Sequence, residues 1–482
     1  MAMLTKAEYV DSLRALKKRV FIRGEEVQNF LDHPLVRPSL NAVAETYALA
    51  EEPELGAALR VKSSLSGETI NRFTHLHQNT ADLVAKVNMQ RLLGQRTGCC
   101  FQRCVGMDAL NAVDSVTFEM DQKLGTDYHA RFRRYALYVQ EHDLVVDGAM
   151  TDPKGNRRLS PSQQTDADLF VRVAESHKNG IVIRGAKVHQ TGALNSHHIL
   201  VMPTQSLGEA ERDYAVSCAV PADAPGITYI LGRQPSDTRR LEESDFDVGN
   251  RGYGGHEAVI VFDNVFVPWE RVFLCGEIAY ASTLVERFAG YHRQSYGGCK
   301  PGVGDVLIGA TYALAEYLGV DKASHVRDKL VEMVHLNETL YACGIACSAR
   351  GKATASGTHL VDLLLANVCK LNVTRFPYEI ARLAQDIAGG LLVTLPSEKD
   401  LHHPVIGEYL HKYLQCVDGI PVEERLRMLR LVENLTIGPG AAAYLTESLH
   451  GAGSPQAQRI MLARLSDLPA KARLAKRLAG IE

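Results

Sequence analysis

The hydrophobic pattern changes its period twice along this chain, and that change limits the folds it can adopt. From residue 5 to about 140, apolar residues recur every three to four positions, which is typical of amphipathic helices. From about 143 to 280 the period becomes two, in short Val-, Ile- and Tyr-rich runs separated by turn residues. From about 283 the helical period returns. The pattern therefore predicts helices, then a β block, then a helical bundle.

The positions of these changes predict three domains in the 482 residues, which is within the usual range of domain sizes. We place a helical domain at 1–142, a β domain at 143–282 and a helical bundle at 283–482. Within the β block, Asn179-Gly180 lies between two strand-like runs and predicts a hairpin. No G-x-G-x-x-G motif follows a strand, so a Rossmann-type dinucleotide site is excluded.

The charges of the chain nearly balance, with 53 Lys and Arg against 56 Asp and Glu and a net charge of −3. Such a chain has no global field to attract nucleic acid or an anionic membrane. The N-terminus lacks the layout of a signal peptide, and no apolar run approaches the roughly 18 residues needed to span a bilayer. We therefore expect a soluble, cytoplasmic protein with neither a nucleic-acid nor a membrane partner.

Ten cysteines are too few for a disulfide scaffold in a chain of this length, and a cytosol would keep them reduced. Cys100 and Cys104 lie four apart at what reads as a helix start or interior, where they would share one helix face. They could bind a metal or a cluster, but two small buried core residues explain the spacing as well. Cys343 and Cys347 repeat the spacing among Ala, Gly, Ile and Leu, which favours helix packing.

The segment ERFAGYHRQSYGGCKPGVGD at 286–305 concentrates polar residues around glycines, between the β block and the bundle. Glycine allows close approach to a ligand, and loops between rigid elements often carry function, so we predict a functional loop here. His292 and Cys299, together with Cys100 and Cys104, would give three thiolates and an imidazole. That donor set suits an iron–sulfur cluster or zinc.

Four further polar segments contain glycine and lie at the edges of predicted elements. Two of them, at 150–158 and 187–198, would either wrap a cofactor or form plain loops. The other two contain Glu257, next to glycines ahead of a strand, and Glu447, in a Gly-rich stretch between helices. At this point the functional and the purely structural interpretations of all four stay equally open.

Taken together, these motifs resemble those of the 4-hydroxybutyryl-CoA dehydratases, a family within the 4-hydroxyphenylacetate 3-hydroxylase superfamily of flavoproteins. The resemblance implies an α+β, acyl-CoA-dehydrogenase-like fold, with a middle β-barrel between an N-terminal helical domain and a C-terminal helical bundle. It also implies one FAD and one [4Fe–4S] cluster per subunit, in a homotetramer. The segments that carry it are CFQRCVGMDALNAV, VDGAMTDPKGNR, KVHQTGALNSH, VERFAGYHRQSYGGCKPGVGDV, ETLYACGIACSA, RFPYEIARLAQDIAGGLLVTLPSE and TESLHGAGSPQAQRIM.

The resemblance also implies roles for individual residues. His292 is the family's candidate base for C2 of the substrate, and Arg91 is a candidate for substrate contact. The implied cluster ligands are Cys100, Cys104, His292 and Cys299. The other implied catalytic residues are Tyr296, which would also contact the substrate, Glu447, Glu257 and Lys300. The implied flavin contacts are Met150, Thr151, Asp152, Lys154, Gly155, Asn156, His189, Gln190 and Thr191, with Gly389 and Gly390 approaching a neighbouring subunit's flavin.

The implied activity is the dehydration of 4-hydroxybutyryl-CoA to crotonyl-CoA, with isomerisation of vinylacetyl-CoA to the same product. The family's route combines removal of the C2 proton, one-electron transfer and loss of the C4 hydroxyl. One alternative is a two-component flavin-dependent aromatic monooxygenase of the 4-hydroxyphenylacetate type. A second alternative is a non-catalytic redox protein, which would need an exposed cluster.

Overall fold

The computed structural model describes residues 3–233, 242–248 and 252–481. Within them, none of the helices is long and apolar enough to cross a membrane. The helices of eight or more residues, numbered in chain order, are α1 Lys6–Arg14, α2 Arg37–Glu51, α3 Thr80–Thr97, α4 Cys104–Leu124, α5 Tyr128–Glu141, α6 Ile278–Tyr317, α7 Ser324–Ala349, α8 Leu363–Val373, α9 Phe376–Ala388, α10 Ile406–Tyr413, α11 Val422–Thr436, α12 Pro455–Leu465 and α13 Leu468–Leu478.

Two of the N-terminal helices, α1 and α3, begin at polar caps. Thr5 and Glu8 form a capping box at α1: the Glu8 N–H donates to Thr5 Oγ1 over 3.2 Å, and the Thr5 N–H donates to the Glu8 carboxylate over 2.8 Å. At α3 the cap is Asn79, whose side chain accepts from the Asp82 N–H over 3.0 Å, and Thr80 is the first helical residue. Residues 5–140 are mostly helical, as predicted, with α1 to α5 in this range and four short strands between them.

The strands form two larger sheets. A six-stranded sheet has the order β2-β1-β10-β11-β7-β6, and a four-stranded sheet has the order β12-β9-β8-β5. The strands are β1 Arg19–Ile22, β2 Glu25–Glu26, β3 Arg60–Lys62, β4 Thr69–Asn71, β5 Val146–Ala149, β6 Arg172–His177, β7 Gly180–Thr191, β8 His198–Val201, β9 Val216–Pro221, β10 Ile227–Leu231, β11 Glu257–Pro268, β12 Val272–Cys275, β13 Lys352–Ala353 and β14 His359–Leu360.

The β-rich middle region is confirmed, and so is its predicted hairpin. β6 and β7 pair with His177 opposite Gly180, so the two-residue turn is Lys178-Asn179, one residue earlier than predicted. The middle β-barrel is not confirmed, because the described strands form two separate open sheets and neither of them closes. The six-stranded sheet also takes a strand from the N-terminal region, since β1 pairs in parallel with β10.

The C-terminal region is a helical bundle, as predicted, but its first helix is longer than the sequence indicates. α6 contains 40 residues and includes the whole of 286–305, so the prediction of a loop there is wrong. The glycines of this segment serve helix packing. A Cβ atom on Gly297 would lie 2.6 Å from the Cα atom of Gly344 in α7, and one on Gly302 would lie 2.2 Å from the Arg91 carbonyl oxygen in α3. The small side chains therefore let α3, α6 and α7 approach closely.

The hydrophobic core has two main parts. One joins α1, α2, α4 and α5 to both large sheets, and the other lies inside the C-terminal bundle, mostly between α6, α9 and α11. A third, smaller cluster joins α3, α4 and α6 and includes Cys104, Tyr296 and Cys299. The region in which the predicted site residues lie is therefore where these helices meet.

Candidate functional site

Cys100 and Cys104 lie on either side of the point where α4 begins. α3 ends at Thr97, and Gly98 caps it in the left-handed conformation with φ 58°. Cys100 lies in the irregular segment that follows, and Cys104 is the first residue of α4. The expectation that both cysteines share one helix face is therefore wrong, because the backbone between them is not helical.

α6 carries four predicted site residues on neighbouring turns. His292, Tyr296 and Cys299 are spaced by four and three residues, which places them along one side of the helix. The rings of His292 and Tyr296 meet edge to face, with centroids 5.2 Å apart. Lys300 follows directly and is buried. The helix itself thus fixes how these groups are arranged.

Three thiols gather between α4 and α6. Cys100 and Cys299 line one small cavity together with Lys300. Burial, and then the nearby Cys299, raise the pKa of the Cys104 thiol well above its usual range. Burial also raises the pKa of Cys299, to about 11. Each thiol therefore keeps its proton unless a metal cation takes the proton's place.

The described residues include no group of three or more His, Cys, Asp or Glu side chains that converges on a single metal ion. A four-iron cluster differs from a single ion, because each of its protein ligands binds a different iron atom. Three thiols with an imidazole nearby are the donor chemistry that such a cluster takes. The residues present thus fit the group chemically, and the cluster itself stays a prediction.

His292 has a buried partner that the sequence did not point to. Its Nδ1 atom lies 2.8 Å from Asp108 Oδ2, and Asp108 in turn accepts from Lys86 Nζ over 2.5 Å. Burial raises the pKa of Asp108, but the charge of Lys86 and the hydrogen bond with His292 outweigh burial, and the pKa lies below its usual value. The only sequence signal was an acidic residue four positions after Cys104, in an otherwise apolar stretch of helix.

Glu257 and Glu447 form a carboxyl pair. Glu257 begins β11, Glu447 begins a short helix, and the two carboxyl groups lie close enough for each to affect the other's charge. Glu257 also accepts from Thr191 Oγ1 over 2.7 Å. Burial, and then the charge of Glu447, raise the pKa of Glu257 well above its usual range. The pair therefore favours a protonated Glu257 over two adjacent negative charges.

Lys300 lies next to the Glu447 carboxyl of this pair. Its Nζ atom lies 3.5 Å from Glu447 Oε2 and donates to the Ala443 carbonyl over 2.5 Å. Burial lowers the pKa of Lys300, but its acidic neighbours, Glu447 first, outweigh burial and raise it. Glu257, Glu447 and Lys300 thus form one contiguous group of ionisable side chains.

Tyr296 lies between two lysines. Lys300 Nζ is 5.1 Å and Lys370 Nζ is 4.9 Å from the centroid of its ring. Lys370, in α8, was not found from the sequence. It donates to the Ser448 carbonyl over 2.5 Å, and burial lowers its pKa to about 7. A cation-rich environment thus surrounds the phenol.

The two predicted flavin segments lie side by side. The Val188 N–H donates to the Thr151 carbonyl over 2.9 Å, and Gln190 Nε2 donates to the same oxygen over 3.4 Å. Lys187 anchors the segment that begins at Met150. Its Nζ atom lies 2.7 Å from Asp152 Oδ1 and donates to the Met150 carbonyl over 2.8 Å. Because Thr191 contacts Glu257, these segments adjoin the carboxyl pair. The exposed residues of the first segment are Lys154, Gly155 and Asn156, and His189 is exposed in the second.

The remaining predicted residues have other surroundings. Arg91 makes a two-pronged ion pair with Asp305, at 2.8 and 2.9 Å, and also pairs with Glu338. Gly389 and Gly390 follow α9 and are exposed, and a Cβ atom on either would meet nothing within 4 Å. Gly389 has φ 77°, so only glycine adopts this turn without strain. The turn is thus open in the single chain.

Two family models match the chain. The 4-hydroxyphenylacetate 3-hydroxylase N-terminal model covers residues 5–274, and the C-terminal model of the same family covers residues 281–480. The chain is 58% identical to the 4-hydroxybutyryl-CoA dehydratase/vinylacetyl-CoA-Delta-isomerase of Clostridium aminobutyricum, over 100% of both chains. A solved structure of an oxygen-tolerant archaeal 4-hydroxybutyryl-CoA dehydratase from N. maritimus superposes with a TM-score of 0.97 at 55% identity, covering 100% of this chain and 96% of that one.

More distant structures share the fold alone. The oxygenase component of 4-hydroxyphenylacetate 3-monooxygenase, in complex with FAD, has a TM-score of 0.88 at 24% identity over 98% of both chains. Glutaryl-coenzyme A dehydrogenase has a TM-score of 0.51 at 11% identity, over 85% of this chain and 82% of that one. These neighbours confirm a mixed helix and strand fold with acyl-CoA-dehydrogenase-like relatives. The chain belongs to the 4-hydroxyphenylacetate 3-hydroxylase family, and within it to the family of 4-hydroxybutyryl-CoA dehydratases.

Proposed function

We propose that this protein dehydrates 4-hydroxybutyryl-CoA to crotonyl-CoA and isomerises vinylacetyl-CoA to crotonyl-CoA. A relative that carries both activities in its name is 58% identical over the full length. The observation that carries the proposal is the gathering of the Cys100, Cys104 and Cys299 thiols and His292 near the Glu257–Glu447 pair. This combines metal-binding donors with acid–base groups in one buried region.

Two cofactors are part of the proposal. Cys100, Cys104, Cys299 and His292 would hold a [4Fe–4S] cluster. FAD would lie along 150–156 and 189–191, as the hydrogen bonds between these segments and the FAD complex of a fold relative support. When bound, FAD supplies one-electron transfer and the cluster supplies a Lewis-acidic iron.

The reaction requires both a base and an acid. Isomerisation takes a proton from C2 of vinylacetyl-CoA and returns a proton to C4. Dehydration also removes a hydrogen from C3 and the hydroxyl from C4. The C2 hydrogen is the most acidic of these, because it is next to the thioester carbonyl. The proton leaves C2 and another arrives at C4, so we assign a base to C2 and an acid to C4.

His292 is the proposed base for C2. Its Nδ1 atom faces the Asp108 carboxylate, which leaves Nε2 as the ring nitrogen that can take a proton. His292 is also a proposed cluster ligand, and a ring nitrogen cannot bind iron and accept a proton at the same time. His292 can therefore act as cluster ligand and as base only at different times in the reaction.

The Glu257–Glu447 pair is the proposed acid. Glu257 holds the proton that would return to C4, because its pKa is raised by burial and by Glu447. Lys300, 3.5 Å from Glu447, stabilises the negative charge that remains on the pair after transfer. The Tyr296 phenol, between Lys300 and Lys370, is the proposed substrate contact. Arg91 is proposed as a further contact at the edge of the site.

The proposal extends to assembly and location. A homotetramer is supported by apolar side chains that the single chain leaves exposed, and α13 has no buried residue. Gly389 and Gly390 would then approach a neighbouring subunit's flavin. We also propose a cytoplasmic location, and domains at 1–142, 143–282 and 283–482 with a barrel-like middle. Among the exposed apolar side chains are Val393, Leu468, Leu474 and Leu478.

The test is to purify the protein without oxygen and measure its cofactors and both activities. We expect about four iron and four acid-labile sulfide per FAD-containing subunit, and turnover of both 4-hydroxybutyryl-CoA and vinylacetyl-CoA. Full flavin without iron, even after anaerobic reconstitution, would contradict the proposal. Oxygen-dependent hydroxylation of a phenol by the iron-free protein would support the monooxygenase alternative instead.

A further inference from the structure

Asp108 is the residue that contacts Nδ1 of the His292 ring. It lies in the fifth position of α4, and neither its side chain nor that of Lys86 is exposed at all. Ser295 Oγ lies within hydrogen-bond distance of both Asp108 oxygens, at 3.4 Å from Oδ1, while the contacts of Asp108 with Lys86 and His292 are made by different oxygens. Oδ1 accepts from Lys86 Nζ over 2.5 Å, while Oδ2 lies 2.8 Å from His292 Nδ1 and accepts from Ser295 Oγ over 3.0 Å. One carboxylate oxygen is thus used for the imidazole.

The rest of this network keeps Asp108 in place. Lys86 Nζ also donates to the Tyr291 carbonyl and to Gln294 Oε1, each over 3.0 Å. The carboxylate is therefore anchored from α3 by Lys86 and from α6 by Ser295. The imidazole is bounded by rings on either side, since it stacks on Phe288 with centroids 5.7 Å apart and meets Tyr296 edge to face. Ring rotation would break these contacts.

We infer that Asp108 is a positioning residue, which fixes His292 with a proton on Nδ1 so that Nε2 is directed to the proposed cluster. This inference rests on the proposed function. A carboxylate only accepts hydrogen bonds, so the imidazole nitrogen that faces it must carry the proton. The other nitrogen then keeps its lone pair for a metal. Histidines that bind metals commonly donate their second ring N–H to a carboxylate in this way.

An amide at position 108 would remove this constraint. The Asn side chain can present either its oxygen or its NH₂ group to Nδ1. In the second orientation the imidazole carries its proton on Nε2, and that nitrogen cannot bind iron. Asp108→Asn has nearly the same shape as the natural side chain, so the change tests the carboxylate rather than the volume.

The experiment measures the rate at which bathophenanthrolinedisulfonate removes iron from the anaerobically purified holoenzyme. Four proteins are compared: the natural protein, Asp108→Asn, His292→Cys and the double variant. Asp108→Asn should release iron about 10- to 100-fold faster than the natural protein, the usual effect of losing such a partner. In the His292→Cys background the same change should alter the rate by less than about 3-fold, because no imidazole remains to be positioned.

A purely structural role gives a different result. Asp108→Asn leaves the Lys86 ammonium buried without its carboxylate, which lowers stability whatever residue is at 292. Equal acceleration in both backgrounds, or no acceleration in either, would therefore overturn the inference. Should Asp108→Asn fail to fold, Lys86→Met/Asp108→Asn removes the unpaired cation, and its iron release is compared with that of Lys86→Met alone.

Ser295→Ala is the matched control. It removes a donor to the same oxygen, Asp108 Oδ2, without changing the imidazole contact, so its iron release should stay within about 3-fold of the natural rate. Acceleration equal to that of Asp108→Asn would show that any damage to the network labilises iron, and would overturn the inference. A natural protein that holds no iron would overturn the proposed function together with this inference. The other outcomes leave the proposed function in place.

Discussion

The two C-x-x-x-C segments of this chain share a spacing but differ in backbone and in surroundings. Cys100 precedes α4 and Cys104 begins it, whereas Cys343 and Cys347 both lie inside α7. Cys100 lines a small cavity with Cys299 and Lys300, and Asp108 affects the pKa of Cys104, whereas the charged groups that affect the pKa of Cys347 are Lys86 and Asp362. Spacing alone therefore does not identify a metal site.

The thiols of the second segment have ordinary structural partners. Cys347 Sγ donates to the Gly344 carbonyl over 3.2 Å, and Asn372 Nδ2 donates to Cys343 Sγ over 3.7 Å. Gly344, between them, is where α7 approaches Gly297 of α6 most closely. Small residues are needed at that contact, and cysteine is one of them.

The largest expected effect comes from removing a thiol of the first segment. Cys104→Ala should lose most of its iron and lower both activities by more than about 100-fold, because it deletes a ligand rather than a partner of one. Iron, sulfide and turnover of both CoA esters are the measurements, and Cys100→Ala and Cys299→Ala should behave alike. A Cys104→Ala protein with full iron content would mean that the ligand assignment is wrong.

His292→Cys separates iron binding from catalysis at the proposed cluster site. A thiolate binds iron well, so the four irons should remain. Both dehydration and isomerisation should be abolished, since a bound thiolate offers no free imidazole nitrogen to accept the C2 proton. The check is iron content together with both rates. Full activity in this variant would refute the assignment of His292 as the base.

Glu257→Gln tests the carboxyl pair that lies near the first C-x-x-x-C segment. The pKa of Glu257 is raised above the 4.5 of an unperturbed glutamate, so the folded state holds its proton more tightly than the unfolded state. Stability from this group is therefore full at low pH and falls as pH rises above about 4.5, by at most about 1.4 kcal/mol per pH unit.

In Glu257→Gln this pH dependence disappears, so its Tm should fall less than that of the natural protein between pH 5 and pH 8. The rate of isomerisation should drop about 100-fold or more, because the acid is lost. Thermal unfolding at several pH values and the isomerase assay measure the two effects. Parallel Tm curves for the two proteins would rule out a shifted Glu257.

Cys347→Ala should have the smallest effect. It removes one buried sulfur from a helix contact, at a cost of about 1 kcal/mol in the free energy of unfolding. Iron content and both activities should stay at the natural level, which iron analysis and the two assays measure. Cys343→Ala, at a half-buried position, should cost less still. Iron loss in either variant would contradict the conclusion that only the first segment binds iron.

Much of the fold could be predicted because hydrophobic period is a local signal. The changes near 142 and 282 match the observed order of helices, strands and helices. The pairing of β1 with β10 could not be predicted in this way, since Arg19 and Thr228 are far apart in sequence. A four-residue strand in a helical region gives too short a pattern to be recognised.

The errors at the site have a common physical cause. The glycines of 286–305 predict a loop from sequence, but in α6 they allow contact with α3 and α7. The predicted helix face shared by Cys100 and Cys104 is wrong for a related reason, because a local sequence does not show where a helix begins. Asp108 and Lys370 were missed because their roles depend on partners in other helices, which no spacing within one segment reveals.

The length of α6 has a consequence for how the site can move. Forty residues at about 1.5 Å each give a helix of roughly 60 Å. His292, Tyr296, Cys299 and Lys300 lie on it and keep fixed distances from one another, whereas the remaining groups come from other segments. The site thus has one rigid wall, and any opening for a long CoA thioester must come from the opposite wall. Slow amide exchange along α6 and faster exchange in 98–103 and 447–453 would be the signature of this division.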